Sequence, residues 1–483
     1  MNQTAALTVF LFLATGCTLG PNYHRPTVDT PTIYRGLTAE QAEQNEPTSL
    51  ADQSWWEVFQ DEQLQELINV ALQQNYDARI AATRILQAQA QLGITRADQF
   101  PTLSAGAAAS DFRFPRFDSI STPETSFSST TLSLTWELDF WGKFRRATEA
   151  ARADLLASHW ARQAVFTTLV SNVAAAYFQL RELDLALEIS RRTLAARQDS
   201  LQLTQLLADR GSTSMLDVHQ AEQLVYTASE QIPDLERRIE QQENAISILL
   251  GKNPGSVPRG RKLAEQPHAP EVPAGLPSLL LARRPDIREA EQQLIAANAE
   301  IGVAKAAYFP QISLTGTSGY ASSALSNLFT GPAGLWFLVG SLSQPLFTAG
   351  KIKSNVRLAE AQQQEAVLAY QQTIQQAFQD VSDQLIAYRK NREFRHQQEL
   401  LTTAARNAAQ LSDLRYRGGA ASYLEVLTND TNYFSAELNL AQAQLNEVLA
   451  LVHLYRALGG GWQQEGNTSD VLMNEQPSVL VFP

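Results

Sequence analysis

The sequence has very few of the residues from which metal, redox and nucleophilic sites are built. Its 483 residues include one cysteine, three methionines and six histidines. A single cysteine cannot form a disulfide within the chain, and no two histidines have the spacing of a helical metal-ligand pair. No glycine-rich phosphate loop is present, and the scarcity of methionine argues against a relay of soft metal ions. The sequence therefore predicts no metal centre, no cofactor and no enzyme.

Basic charge and long apolar runs are also lacking. Lys and Arg number 38 against 50 Asp and Glu, a net charge of -12, and the basic residues form no patch. This balance argues against nucleic acid as a partner. Beyond the first residues no run of about 18 apolar residues occurs, so no transmembrane helix is predicted. The hydrophobic content of 44% nevertheless allows a large core, and β-strands remain as elements that could cross a membrane.

The N-terminus carries one short apolar run, from Ala5 to Thr15, and small residues follow it up to Cys17. This pattern predicts an export signal, residues 1–16, that is cut before a lipid-bearing Cys17. Two features depart from the usual pattern, because no Lys or Arg precedes the run and Ala14 stands where bacterial lipoproteins prefer leucine. The alternative is that Cys17 is a buried thiol of a core helix.

The centre of the chain predicts a long helical hairpin, residues 142–251. The run from 142 to 209 contains no proline, and at 1.5 Å per residue it would extend about 100 Å. Apolar residues recur in it every seven positions, as in helices that pack along a seam. They are Phe166, Val173, Leu180, Leu187, Leu194 and Leu201. After a turn at Gly211, a return helix has its own seam, which contains Val218, Val225, Ile232, Ile239 and Ile246.

The hairpin occurs twice, at residues 142–251 and 350–459. Gly350-Lys351 repeats Gly142-Lys143, Arg417-Gly418 repeats Arg210-Gly211, and Leu458-Gly459 repeats Leu250-Gly251. We therefore expect two repeats, 62–251 and 278–459, joined by a connector, 252–277. An N-terminal arm, 17–61, and a C-terminal tail, 460–483, flank them. Two such hairpins in one chain predict a curved wall of helices, although a cytosolic coiled-coil scaffold would also contain them.

Each hairpin is preceded by a predicted β-hairpin, at about 102–140 and about 311–347. After Phe100-Pro101 and Phe309-Pro310 the hydrophobic period changes from that of a helix to that of a strand. The four strands, near 102–112, 127–140, 311–320 and 335–347, have the length of tilted outer-membrane strands. A small soluble β-ribbon is the alternative. Four strands cannot close a barrel, whereas three chains would supply twelve strands around a lumen, so we expect a homotrimer.

Several further motifs are highly specific when taken together. They are Cys17-Thr18-Leu19-Gly20-Pro21, Trp55-Trp56, Trp136-Glu137-Leu138-Asp139, Arg283-Arg284-Pro285-Asp286 and Ala304-Lys305-Ala306-Ala307-Tyr308-Phe309-Pro310. These motifs resemble those of the TolC superfamily of outer-membrane channels, in its lipoprotein branch typified by OprM and NodT. The resemblance implies a mixed α and β membrane protein, a trimeric 12-stranded β-barrel continuous with a long periplasmic α-helical barrel. The arm, connector and tail would form an equatorial region.

The same resemblance implies a function and a location. It implies the exit duct of a tripartite efflux pump, anchored by lipid in the outer membrane of a Gram-negative bacterium and extending into the periplasm. The implied partners are a periplasmic membrane-fusion adaptor and a proton-driven inner-membrane transporter of the RND type. The alternative is the outer-membrane component of a type I peptide or protein secretion system, and a scaffold without a lumen is a third class.

The tips of the two helical hairpins are predicted binding sites. Gly211 and Ser214 in the first tip, and Gly418, Gly419 and Ser422 in the second, supply a tight turn and a serine cap for the return helix. The resemblance implies in addition that the adaptor packs against these tips.

The first turns of the return helices are predicted to form a gate. The candidates are Leu424, Glu425, Asp217, Thr428 and Asp430. Three-fold symmetry would make each a ring, in which leucine closes by dewetting and carboxylates attract cations. We expect Leu424 to form the tightest ring and Glu425 to be its charged neighbour, because Thr428 stands where the resemblance implies an aspartate. Arg210, Arg415 and Arg417 are the expected partners of the carboxylates. The alternative for Asp217 and Glu425 is a helix-stabilising charge.

Overall fold

The structure, a computed structural model, describes residues 18–35, 49–112, 125–266 and 275–461. The chain divides into two compact units. The first, here called the strand unit, contains the described residues within Met1–Val28, Arg84–His159 and Glu289–Gln371. The second, the hairpin unit, contains those within Asp29–Thr83, Trp160–Arg288 and Gln372–Pro483.

Helices dominate the described chain. In order they are α1 (Trp55–Val58), α2 (Glu62–Gln74), α3 (Tyr76–Ala97), α4 (Lys143–Asp209), α5 (Met215–Leu249), α6 (Pro277–Arg283), α7 (Pro285–Ala306), α8 (Lys351–Arg417) and α9 (Tyr423–Ala457). The outgoing helices α4 and α8 each have 67 residues, and the return helices α5 and α9 each have 35. In the part of the chain that the structure describes, no helix has both the length and the apolar character needed to span a membrane.

The heptad seams are buried or half-buried in the hairpin unit. Val173 and Leu180 of α4 and Ile246 of α5 have no exposed surface. Gln242 of α5 donates to the carbonyl of Ala176 in α4 at 2.8 Å, and further along the pair Arg191 of α4 contacts Glu236 of α5 at 2.6 Å. The contacts run in opposite directions along the two helices, as the sequence predicts for an antiparallel hairpin.

The two repeats keep one offset along the helical hairpins. Glycines with positive φ form the pairs Gly142 and Gly350, Gly211 and Gly419, and Gly251 and Gly459, each 208 residues apart. The repeated Arg-Gly motif pairs Gly211 with Gly418, which is one residue short of the structural counterpart. The residue of the second tip that takes the left-handed conformation is Gly419, with φ of 71°.

The strand unit contains one antiparallel sheet of four strands in the order β1-β2-β3-β4. The strands are β1 (Thr102–Phe112), β2 (Thr125–Glu137), β3 (Gln311–Ser322) and β4 (Gly334–Ser343). β2 pairs with β3, so the two repeats of the chain meet inside the sheet, and β1 and β4 are its edges. β4 ends at Ser343, short of the predicted end near Phe347, because Pro345 has no N–H to donate to a neighbouring strand.

Candidate gate and docking tips

The first helical tip is a tight turn closed by Gly211. Its φ is 72°, and its amide donates to the carbonyl of Ala208 at 2.9 Å. The amide of Ser212 donates to the carbonyl of Leu207 at 2.8 Å. These two bonds satisfy the last carbonyls of α4, which would otherwise lack partners.

Ser214 and Asp217 cap the return helix α5. The amide of Asp217 donates to the Ser214 hydroxyl oxygen at 3.3 Å, and the Asp217 carboxylate accepts from the amide of Ser214 and from the hydroxyl of Thr213. Such a reciprocal capping box satisfies amides that have no partner inside the helix. The geometry of Asp217 is therefore that of the alternative considered from the sequence, a helix-stabilising carboxylate.

The second tip has the same backbone and a different cap. The amide of Gly419 donates to the Tyr416 carbonyl at 2.9 Å, and that of Ala420 to the Arg415 carbonyl at 2.8 Å. Ser422 occupies the N-cap of α9, but its side chain makes no capping hydrogen bond. The predicted serine cap thus exists at Ser214 and not at Ser422.

One side of the start of α9 is packed against the first hairpin. Tyr423 and Val426 are buried together with Ala221 of α5, and Leu201 of α4 lies beside them. The Tyr423 ring meets the Tyr416 ring edge to face, with 5.2 Å between centroids. Burial raises the pKa of Tyr423, which keeps the hydroxyl neutral. The orientation of α9 about its own axis is therefore fixed by these contacts.

The opposite side of α9 is an exposed stripe without charge. Leu424 begins it with 58% of its surface exposed. Thr428 follows one turn later, and its hydroxyl donates to the Leu424 carbonyl at 2.9 Å. The stripe continues through exposed hydroxyl and amide side chains, namely Thr431, Asn432, Ser435 and Asn439. Leu424 is thus the single apolar residue at the tip end of an otherwise polar, uncharged face.

The carboxylates predicted for the gate have different partners from one another. Glu425 lies 3.6 Å from Arg415, in an exposed pair that agrees with the prediction. Arg417 instead pairs with Asp413. Asp430 pairs with Arg197 of α4, an arginine that the sequence analysis did not select, at 2.7 Å.

The Arg197 side chain is almost completely buried, with 2% exposed, while 27% of Asp430 is exposed. Arg197 also donates to the Leu224 carbonyl of α5 at 2.8 Å, and its guanidinium lies over the Phe434 ring at 4.8 Å from the centroid. One arginine therefore joins α4, α5 and α9. A buried guanidinium depends on these partners, because an unpaired charge in the interior is costly.

A second ion pair between α4 and α9 lies further from the tip. Arg192 contacts Glu437 at 2.6 Å, and the hydroxyl of Tyr433 donates to the same carboxylate at 2.7 Å. The Tyr433 hydroxyl accepts in turn from Arg406 of α8 at 3.1 Å. Asp430 and Glu437 are seven residues apart, so the two carboxylates form successive rungs on one face of α9.

Arg197 could have been found from the heptad pattern. It lies three residues after the seam position Leu194, in a column of buried residues that contains Leu169, Ala176, Leu183, Ser190, Arg197 and Thr204. The column changes from apolar to polar toward the tip. A charged residue at a core position of a coiled coil is a recognised marker of a specific polar contact, and this was the missed signal.

The predicted lipid site, Cys17, lies outside the described residues. The arm that follows it packs against the strand unit. The amide of Leu19 donates to the Trp141 carbonyl at 3.1 Å, and Arg146 of α4 donates to the Leu19 carbonyl at 3.0 Å. Arg25 forms an ion pair with Glu291 of α7 at 3.0 Å. The arm is thereby attached to two helices of the strand unit.

No cluster of three or more histidine, cysteine or acidic side chains suited to a metal ion occurs within residues 18–35, 49–112, 125–266 and 275–461. The carboxylates predicted for the gate are instead paired with arginines or used as a cap. These arrangements hold helices together and present an uncharged stripe.

The sequence is similar to known channel proteins over nearly its whole length. The model of the family described as outer membrane efflux protein matches residues 67–252 and 276–460. The probable efflux pump outer membrane protein TtgC of Pseudomonas putida is 37% identical over 98% of both chains. The cation efflux system protein CusC of Escherichia coli is 36% identical over 93% of this chain and 97% of its own. The probable outer membrane lipoprotein SilC of Salmonella typhimurium is 35% identical over 94% and 97%.

Solved channel structures have the same fold. A CusC structure matches with a TM-score of 0.84 at 34% identity, covering 92% of this chain and all of CusC. The open state of the MtrE channel of Neisseria gonorrhoeae matches with a TM-score of 0.84 at 32% identity, over 94% of this chain and all of MtrE.

The chain belongs to the outer membrane efflux protein family. The predicted fold class, that of a TolC-like trimeric channel with four strands per chain, is confirmed. So are the location in the outer membrane and the role as an efflux duct.

Proposed function

We propose that three copies of the chain form the exit duct of a tripartite efflux pump with a periplasmic membrane-fusion adaptor and a proton-driven inner-membrane transporter of the RND type. The duct conducts drugs or other small molecules passively and catalyses no reaction. The relatives named for efflux support this assignment, and the paired or capping carboxylates at the tips leave the exposed stripe of α9 free of charge. Energy comes from the inner-membrane partner.

The gate of this duct is proposed at Leu424, and the exposed stripe of α9 carries that proposal. Because Tyr423 and Val426 are packed inward, Leu424 and Thr428 face away from the chain's own core. In a trimer the three Leu424 side chains would form an apolar ring that closes by excluding water. Glu425 is the charged neighbour, held by Arg415, and Asp217 keeps its capping role.

The closed gate is held by a latch, which we define as the ion pair of Arg197 with Asp430. It ties the start of α9 to the first hairpin, so α9 could swing outward only if the pair separated. The second rung, Arg192 with Glu437, lies one heptad further from the tip and supports the same arrangement.

The tips themselves are the proposed adaptor-docking sites, through Gly211 and Ser214 in the first and through Gly418, Gly419 and Ser422 in the second. Exposed apolar side chains beside them, Met215 and Leu216 at 59% and 64% exposure, offer contact area to another helical hairpin. The adaptor would then touch the same segments from which the gate helices start.

Lipid attachment to Cys17 is proposed as a secondary anchor. The docked arm begins one residue after Cys17, and the relative SilC is named as a probable lipoprotein. Replacing Cys17 by serine should abolish incorporation of labelled palmitate while trimers still form. A wild-type protein that incorporates no label would refute the assignment.

Co-expression in a Gram-negative strain that lacks its own outer-membrane channels tests the function. We expect drug resistance to return when the chain is paired with an adaptor and an RND-type transporter encoded beside it. Restoration only with an ATP-driven exporter would favour the secretion alternative.

For the gate, the double variant Leu424→Ala, Glu425→Ala should raise single-channel conductance and sensitise cells to vancomycin. Unchanged conductance in folded trimers would place the gate on other residues.

A further inference from the structure

A cavity of about 450 Å³ lies inside the strand unit, where the strands give way to the long helices. The end of β2, the last turn of α7 and the first turns of α4 and α8 surround it. Cavities of roughly 300–1,000 Å³ commonly hold small organic ligands. The cavity lies at the ends of α4 and α8 that are remote from the tips, so it is separate from the proposed gate and docking sites.

The strands contribute polar side chains to the cavity from one face of the sheet. Gln311 lies opposite Ser343, and Glu137 lies opposite Ser313, so these residues share a face. The Gln311 amide donates to the Glu137 carboxylate at 2.6 Å. The hydroxyls of Ser313 and Ser341 on the same face are 2.6 Å apart. The cavity therefore opens on the polar face of the sheet.

The alternate positions of the same strands form an apolar face. Leu132, Leu338 and Leu342 lie on it and are 47%, 64% and 68% exposed. In an outer-membrane barrel the apolar side chains face the lipid and the polar side chains face the lumen. The cavity thus opens toward the lumen, in the path of the molecules that the proposed duct conducts.

One wall of the cavity is aromatic and aliphatic. The Trp141 ring stacks on the Phe309 ring with 4.8 Å between centroids, and the Trp141 indole donates to the Pro310 carbonyl at 2.7 Å. Both aromatic residues line the cavity together with Val303 and Ile352. This wall suits an aromatic or alkyl body.

The two carboxylates of the cavity are already neutralised by their own partners. Glu137 forms an ion pair with Lys143 at 3.1 Å. Asp139 accepts from the backbone amides of Phe144 and Arg145 at 3.2 and 2.9 Å, and it also pairs with the Arg145 side chain at 3.2 Å. Neither carboxylate therefore leaves a negative charge without compensation in the cavity.

Lys351, the first residue of α8, supplies the remaining charge of the cavity. Its side chain is exposed, and it forms no ion pair within the part of the chain that the structure describes. Its counterpart in the first repeat, Lys143, is neutralised by Glu137. The position 208 residues after Glu137 is Pro345, which carries no charge. The difference between the repeats thus leaves one lysine of the cavity available to a ligand.

We propose that this cavity is a transit site for amphipathic organic anions, molecules with an aromatic or alkyl body and one carboxylate, sulfonate or phosphate group. The body packs against Trp141 and Phe309, and the anionic group pairs with Lys351. This inference rests on the proposed duct and names a class of cargo for it. Because the cavity is open to water, a ligand is held weakly enough to leave again, as conduction requires.

Equilibrium dialysis with radiolabelled naphthalenesulfonate tests the site on purified trimers in phosphatidylcholine nanodiscs, with empty discs as background. The wild type should bind the probe saturably, one molecule per chain. Lys351→Gln should weaken binding by about tenfold, the size expected for one lost contact to a charged group, and Lys351→Arg should retain it. The matched control is Lys353→Gln, which removes an exposed lysine of the same helical turn that does not line the cavity, and it should bind like the wild type.

Equal affinities of Lys351→Gln and the wild type would overturn the proposal, and so would an equal loss in Lys353→Gln. The neutral probe naphthalenesulfonamide has the same rings without the charge, so its weaker binding should not change in Lys351→Gln. A matching loss for the neutral probe would show that Lys351 does not recognise the anionic group.

A second variant tests the cavity itself, should Lys351→Gln fail to assemble. Ala307 lines the cavity and is exposed, so Ala307→Phe fills the space without disturbing a buried position. It should abolish binding of both probes. Saturable binding that survives Ala307→Phe would place the probe elsewhere and overturn the site.

The co-expression experiment separates this site from the proposed function. Trimers that restore drug resistance but bind no naphthalenesulfonate would refute the transit site and leave the duct intact. Trimers that bind the probe through Lys351 but restore no resistance would retain the site and refute the duct.

Discussion

Replacing Asp430 by alanine should open the gate, because it leaves the Arg197 guanidinium buried without its carboxylate. Removing one partner of a buried ion pair costs about 3–5 kcal/mol. Since 27% of Asp430 is exposed, we take the lower end, about 3 kcal/mol. If the pair exists only in the closed state, the equilibrium shifts toward the open state by about 150-fold in each chain.

Two variants separate the latch from a general loss of stability. Asp413→Ala removes the exposed pair with Arg417 at the same tip, which is worth at most about 1 kcal/mol, and should leave the gate closed. The double variant Arg197→Met, Asp430→Leu replaces the buried pair by apolar side chains, an exchange that is often neutral or stabilising. It should restore closure.

The assays are single-channel conductance in planar bilayers and vancomycin susceptibility of cells. Asp430→Ala should show long open dwell times and sensitise cells, whereas Asp413→Ala should match the wild type. Asp430→Ala trimers of normal abundance that conduct like the wild type would refute the latch. A double apolar variant as open as the single variant would also refute it, since the latch would then be more than an ion pair.

Three further predictions concern the tips and α9. Ser214→Ala should lower the free energy of unfolding by about 1 kcal/mol, whereas Ser422→Ala, which removes no capping bond, should change it little, as measured by thermal unfolding. Gly419→Ala should cost about 1 kcal/mol because Gly419, unlike Gly418, has positive φ, and Gly418→Ala should be tolerated, a difference that the same melting curves resolve. Burial lowers the pKa of His453, so the unfolded chain binds its proton first as the pH falls. The melting temperature should therefore drop as the pH falls below about 6.5, and His453→Gln should drop less; equal drops would exclude His453 as the cause.

The long-range repeat could be derived from the sequence because its landmarks depend on local chemistry. Phe100-Pro101 and Phe309-Pro310 end helices wherever they occur, and heptad apolar residues identify a buried seam without any coordinates. At the tips the sequence is compatible with an offset of 207 or 208, since Gly418 and Gly419 are adjacent and identical. Only the backbone dihedral angles show that Gly419 is the counterpart of Gly211.

The pairing of charges could not be read from the sequence in the same way. Asp217, Glu425 and Asp430 all lie within the first eight residues of the return helices, yet one is a cap, one an exposed pair and one a buried pair. The difference depends on which helix faces each carboxylate. Arg197 is 233 residues from Asp430, so no local pattern links them.

The change from apolar to polar residues along α4 supports the proposal that the duct opens at the tips. Far from the tip, Leu169 and Leu183 occupy the buried column. Moving α4 away from the helices packed against it would expose these apolar side chains to water. Near the tip the same column holds Arg197, which can exchange its partners on α5 and α9 for water when the helices part. Separation therefore costs less at the tip than further along the helix, so α9 would move at the proposed gate while the rest of the hairpin stays packed.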